Sequence, residues 1–524
     1  MSFIPVLLFS ITLSLLGAPA SSPASSQVTV GVPPDRGIYA IWIKNEKVLD
    51  LPFIKGSQVM VLWSDCEVGE GKYDFSKMDA LLKQYHDRGM KCTVQVNGNK
   101  KPAWMFSKIP YYPEKVAKFG MADDKTLMFW HPRFIEAYVK FIAAYADHLK
   151  TSPYRENILG VRMNFNAVGT EHLSPGKAAD HLEKWIQPDG SKEPLPGYSK
   201  KVQQEYQKTV FEAHVKNFSP DIFLFLRANV SEEIAAPHAD LFASGHMGWF
   251  VTGALPIESP HEFFQTVYGI FGKYTRTGKA LGYAEPIKDS FGYGGAETKD
   301  LKYLGPARFN YWRLLLDLHY GISYIACYGE DLSIAVDGKN TSGSFPDLKP
   351  FYTLAFQFAD KYAGYLNDAA HSPGAWVALR QADHPDPKLI RTDDCEFLMK
   401  RLPDDSKGVT DVGPKDQGYG GWARVLAPGK IMRFRLDERF ALSLEEAPFT
   451  ASLIYLDNGT GKLTLRVSGK ELPIEMKNTG RFEKAQLQIG PSHWAAGGPD
   501  ISVENTEETD ATLHMLEITR AVKE

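Results

Sequence analysis

Two glutamates stand where a two-carboxylate reaction would use them: Glu171 in Asn166-Ala167-Val168-Gly169-Thr170-Glu171-His172, and Glu285 in Tyr283-Ala284-Glu285-Pro286. Each follows a short apolar run of the kind that forms a buried strand. Cleaving a glycosidic bond takes a carboxylic acid that protonates the leaving oxygen and a carboxylate that attacks the anomeric carbon or activates water. Glu285 has no basic residue after it before Lys288 and reads as the nucleophile. Glu171, in a loop that Gly169 allows to turn inward, reads as the acid/base; capping the next segment or pairing with His172 is its competing role.

Other polar and aromatic residues fall just past apolar runs. Asp65, Glu67, Asn97, Trp104, Asn166, Arg227, Trp249, Tyr328 and Glu330 are expected to contact substrate. Trp63, Trp104 and Trp249 are candidate platforms for sugar faces, with core packing the alternative for each. His172 and His246 fall on different strand ends without a third ligand, so no metal is expected, and no cofactor.

These residues need elements to hold them. GIYAIW, SQVMVLW, KCTVQVN, NILGVRMNFN, DIFLFLRAN, SGHMGWFVT, GKALGYAEP and GISYIACYG read as eight strands. Segments of helical spacing lie between most of them, including KMDALLKQYHDRG with Ser76 as its expected N-cap, and DLKPFYTLAFQFADKYAG closes the set. Eight strands with alternating helices give an α/β fold, a (β/α)8 TIM barrel, in which the strands' C-terminal ends form the active site. Past His371 the pattern becomes polar–apolar alternation with turns such as Asp457-Asn458-Gly459, which predicts an all-β sandwich of jelly-roll type. The expected organisation is a leader over 1–20, a barrel over 28–368 and an accessory sandwich over 369–524. With no low-complexity linker, the last two are expected to pack closely.

Composition narrows the function. Of 524 residues 44% are apolar and 23% charged, so the chain can bury a core, and its net charge of −4 without a basic run argues against nucleic acid as a partner. The apolar run Phe3–Leu16 followed by Ala18-Pro19-Ala20 reads as a signal peptide, so the mature protein is expected to be secreted or periplasmic, with no membrane association. Cys66, Cys92, Cys327 and Cys395 read as small buried hydrophobes, with a Cys66–Cys92 bridge left open.

The segment LWSDCEVGEGKYDFSKMDALLKQYHDRGMK, the PAWM motif from Pro102 to Met105 and the FWHPRF stretch resemble, in that order, the N-terminal half of glycoside hydrolase family 42 and related clan A enzymes. The resemblance implies a TIM barrel, a carbohydrate substrate of the β-galactoside class, and catalysis by a Glu of an Asn-Glu pair after strand four with a Glu after strand seven. Glu285 matches the second position. The first departs from the pattern, because Ala167 follows Asn166 where Glu is required. Either Glu171 has taken over that role or the chain has lost its proton donor. A catalytically silent carbohydrate-binding barrel is therefore the alternative. A lyase using Tyr283 or Tyr328 as base and Arg227 against a uronate is a third reading.

Overall fold

The computed structural model describes residues 35–117, 122–170, 172–227, 232–252, 281–285, 305–380, 394–415, 417–444, 447–491, 500–506 and 508–521, with backbone alone at 227, 232, 251–252 and 281–285. The expected leader, the helix expected after strand six and Glu171 lie outside the described residues.

The eight apolar runs become β1 (Gly37–Ile41), β2 (Ile54–Leu62), β3 (Lys91–Asn97), β4 (Ile158–Arg162), β5 (Leu224–Arg227), β6 (Met247–Thr252), β7 (Leu281–Glu285) and β8 (Ile322–Tyr328). They close a parallel barrel in chain order, β1 pairing with both β2 and β8. Among the described side chains the staves are buried on both faces, which is why the runs are nearly continuous in apolar residues. Inside, Tyr39, Ile41, Phe225, Phe250, Tyr324 and Ala326 form one apolar cluster. Outside, Val59, Val61, Val94, Val161, Trp249 and Ile325 belong to a second, larger cluster with the surrounding helices.

Those helices include α1 (Ser76–His86), α2 (Pro132–Thr151), α3 (Lys200–Phe218), α4 (Pro306–His319), α5 (Gly329–Asp337) and α6 (Lys349–Tyr362). Ser76 is the first residue of α1 rather than its cap. The capping acceptor is Asp74, whose Oδ1 takes the Ser76 N–H at 2.9 Å, because an aspartate two residues earlier reaches the first free amide.

Two antiparallel sheets follow. In one, the long strand Ala511–Arg520 pairs with Phe449–Asp457, Gly374–Ala378 and Trp422–Leu426. The other is five-stranded, with Ile501–Asn505 between Ile431–Leu436 and Lys462–Val467. Their inner residues, among them Leu453, Met432, Val503 and Leu516, belong to the same apolar cluster as the outer barrel.

The junction is made by α4, whose residues Ala307 to Leu318 are all buried. Arg308 donates to Asp411 Oδ1 at 3.1 Å and to the carbonyl of Val412 at 3.0 Å. The Trp312 indole donates to the Gly420 carbonyl at 2.7 Å and meets Trp422 edge to face. Tyr311 and His514 join through hydroxyl and Nε2 at 3.0 Å. All four cysteines are buried free thiols, so the Cys66–Cys92 bridge is not formed. Among the described residues no helix is long and apolar enough to cross a membrane.

Candidate active site

Among the described residues, the C-terminal rim of the barrel is bonded most densely in the chain that follows β3 and β4. Strand β4 ends at Arg162, four residues earlier than Asn166, so Asn164 and Asn166 lie on the loop above it. Both anchor that loop to the neighbouring stave: their Nδ2 groups donate to the Val96 carbonyl at 2.9 and 3.3 Å. Asn166 takes a left-handed backbone, φ 48°, which asparagine tolerates better than most residues. Its N–H reaches the Thr170 carbonyl at 2.8 Å, and the Val168 N–H reaches the His172 carbonyl at 2.9 Å. The loop therefore doubles back on itself, with Ala167 buried at 1% exposure.

A second set of bonds ties the loop to the end of β3. The Asn99 side-chain oxygen accepts the Thr170 N–H and hydroxyl. Asn97 Oδ1 accepts the Asn99 N–H at 2.8 Å. Gly98 between them has no room for a side chain, since a β-carbon there would stand 2.5 Å from Cβ of Asn166. Beneath lies Lys101, buried, its ammonium donating to the Gly98 carbonyl. Burial pushes that ammonium down to about 8, against the opposing pull of Asp123. Glu171 itself falls outside the described residues, but both of its neighbours are held by these bonds.

Deeper in the barrel, the buried Arg162 lies with its guanidinium 4.6 Å from the centre of the Phe250 ring, a cation–π arrangement. Glu285 is the last residue of β7 and pairs in register with Thr252. Arg227 is the last residue of β5; the side chains of both lie outside the description. Tyr328, half-buried, ends β8 beside Ile41.

Several expected contacts are occupied elsewhere. Asp65 accepts the Leu62 N–H at 3.1 Å and pairs with Lys77 at 2.6 Å, closing the turn after β2. Glu67 is 3% exposed and takes the Trp63 indole N–H at 2.9 Å and the Gly71 N–H at 3.1 Å. Burial raises its pKa, only partly offset by those bonds. Glu330 pairs with Lys44 at 2.8 Å and accepts from the Thr341 N–H and hydroxyl. Trp104 is half-buried against the core on the turn after β3.

Trp63 and Trp249 are not platforms. Trp63 packs among Phe134, Tyr138 and Phe141, and Trp249 stacks on Phe242; neither exposes surface. Trp249 is the third residue of β6, on its outer side, so it is not at the rim at all. His246 precedes β6 and lies at the opposite end of the barrel from His172. Among the described residues no group of three His, Cys, Asp or Glu could hold a metal ion.

Asn99, Thr170, Arg162 and Trp42 join this end of the barrel without having been expected from the sequence. Trp42 follows β1 directly, so the strand-end rule applied to the first stave would have found it. It has φ 51° and is 45% exposed. A bulky residue held there costs on the order of 1–3 kcal/mol.

The model of glycoside hydrolase family 42, described as beta-galactosidase, matches residues 34–172. The match runs through the β4 loop and ends one residue past Glu171. Beta-galactosidases LacA and LacZ of Lactobacillus acidophilus are each 32% identical over 78 residues, 15% of this chain and 12% of the relative. The chain thus spans 12% of the length of the curated relatives it matches. Among solved structures, the catalytic domain of beta-amylase from Paenibacillus polymyxa covers 63% of this chain and 100% of its own, at TM-score 0.39 and 12% identity. The exo-beta-1,3-galactanase from Phanerochaete chrysosporium covers 23% of this chain and 27% of its own, at TM-score 0.17 and 12% identity. By the family match, the chain resembles glycoside hydrolase family 42 across its first four barrel strands.

Proposed function

We propose that this chain is an exported retaining glycoside hydrolase acting on β-linked, galactose-containing poly- or oligosaccharides, with Glu285 as nucleophile and Glu171 as acid/base. The observation that carries the reading is the double anchoring of Thr170 and His172 on the rim where β7 delivers Glu285. Support also comes from the family match, which spans the loop containing Glu171.

In the first step the Glu285 carboxylate attacks the anomeric carbon. The bond to the leaving oxygen breaks as the Glu171 carboxyl gives that oxygen its proton. In the second step Glu171, now a carboxylate, takes a proton from water, whose oxygen displaces Glu285 from the sugar. This requires the two carboxyl groups to approach to about 5–5.5 Å.

One observation favours a second reading. Ala167, in the position that the family pattern gives to the proton donor, is buried and cannot exchange protons. A chain without a donor would bind sugars and leave them intact.

Aryl β-glycosides and β-galactans are incubated with the wild type, Glu171→Gln and Glu285→Gln, adding azide to the Glu171 variant. Loss in both variants, with azide forming a β-glycosyl azide from an activated substrate, supports the pair. Full activity in Glu171→Gln moves the donor elsewhere. An inert wild type that binds glycans selects the silent barrel. Export is tested separately by the N-terminal sequence of the mature protein from its native host.

A further inference from the structure

Resting on the carbohydrate reading above, we infer that Trp42 is a stacking platform for a second sugar ring, next to the ring that reacts at Glu285. Of the tryptophans among the described residues, Trp42 alone is exposed. It is also held in a left-handed backbone that a bulky side chain avoids. Burial cannot be the reason for keeping an indole there, because nearly half of it faces solvent. Strain of this kind persists only where the surroundings fix it, and it gathers at binding sites.

The surroundings do fix it. Ile41 pairs with Tyr328, and the next residue, Gly329, opens α5. A β-carbon at Gly329 would lie 2.9 Å from Cα of Ile43 and 3.0 Å from the Trp42 carbonyl oxygen, so the two backbones meet without a side chain between them. The Lys44–Glu330 ion pair fastens the same corner, and Glu330 is steadied in turn by Thr341. The result is a flat apolar ring beside a rim of charged and hydroxyl groups. A pyranose, with one C–H face and equatorial hydroxyls, matches both parts.

Position separates this platform from the reacting centre. Trp42 rises from β1 and Glu285 from β7, with β8 between them. At a strand spacing of about 4.8 Å the two stand about 10 Å apart, beyond a single ring's own contacts. The ring on Trp42 is therefore a neighbour in the chain, and the platform favours oligosaccharides over single glycosides.

Wild type, Trp42→Gly and Trp42→Phe are compared on a β-galacto-hexasaccharide and on p-nitrophenyl β-galactoside. In Trp42→Gly the ratio of kcat/KM for hexasaccharide to that for the aryl glycoside is expected to fall about tenfold, while Tm rises as the strain is relieved. Trp42→Phe should retain part of the ratio. Oligosaccharide binding is also followed by titration calorimetry in Glu285→Gln, with and without Trp42→Gly. Hydrolysis with an unchanged ratio in both Trp42 variants overturns the platform and leaves the glycosidase reading standing. Trp42-dependent binding by a wild type that hydrolyses nothing supports the platform and removes the catalytic reading. Equal binding with and without the indole overturns the platform.

Discussion

Asn99 Oδ1 receives both the N–H of Thr170, at 3.2 Å, and its hydroxyl, at 3.3 Å. A residue two positions beyond β3 thereby holds the backbone immediately before Glu171. If Glu171 donates the proton, Asn99→Ala loosens its approach without touching the nucleophile. Small displacements of a reacting group can cost about 100-fold. The expected result is a loss of ten- to 100-fold in kcat on glycosides with poor leaving groups, and much less on activated aryl glycosides, which need little protonation. A leaving-group series measures it; equal losses across the series would reject the role.

Gly98→Ala puts a methyl group into the space occupied by Asn166. Either the end of β3 or the β4 loop must then move. Overpacking of this kind costs about 1–3 kcal/mol, read as a lower urea midpoint with an unchanged slope. An unaltered midpoint would show that the loop yields freely.

Two buried histidines make stability depend on pH. Burial holds His514 well below its ordinary range, to about 3, and His214 to about 4. Each therefore binds a proton when unfolded, near pH 6.5, but not when folded. Their contribution is complete above pH 6.5 and is lost as pH falls toward those lower values, with a slope of roughly 1 kcal/mol per pH unit per group. Tm followed from pH 7 to pH 4 should decline, and His214→Gln should flatten the decline. A profile of identical slope in that variant would contradict this account.

Trp312→Ala removes a fully buried indole from the junction, together with its bond to Gly420. Truncations of this size cost about 3–5 kcal/mol. Calorimetry should show a lower Tm; a separate early transition confined to the sandwich would mean that the two parts come apart first.

The barrel was legible because its staves are buried on both sides and stand out as apolar runs. That same property hid the direction of individual side chains. In β6, Trp249 turns outward onto Phe242 while its neighbour Phe250 turns inward beneath Arg162, and a run without alternation does not distinguish them. Glu67 was misread for a different reason: Trp63, four residues earlier, folds back onto its carboxylate, a contact created by the turn after β2. Asn99 and Thr170 are 71 residues apart, and their pairing follows from the adjacency of β3 and β4 rather than from any local pattern. Trp42 lay within reach of the strand-end rule; its exposure and left-handed backbone required coordinates.

Helix α4 is walled in on all sides, by its barrel staves and by the loops around Val412 and Gly420. For inheritance, this makes the sandwich something other than a detachable cassette. A gene that lost the second half would leave Arg308, Tyr311 and Trp312 facing water together, and no single substitution repairs three such residues. Descendants of this protein are thus expected to keep or discard both halves as one, and to vary in the rim loops, where changes leave that seam intact.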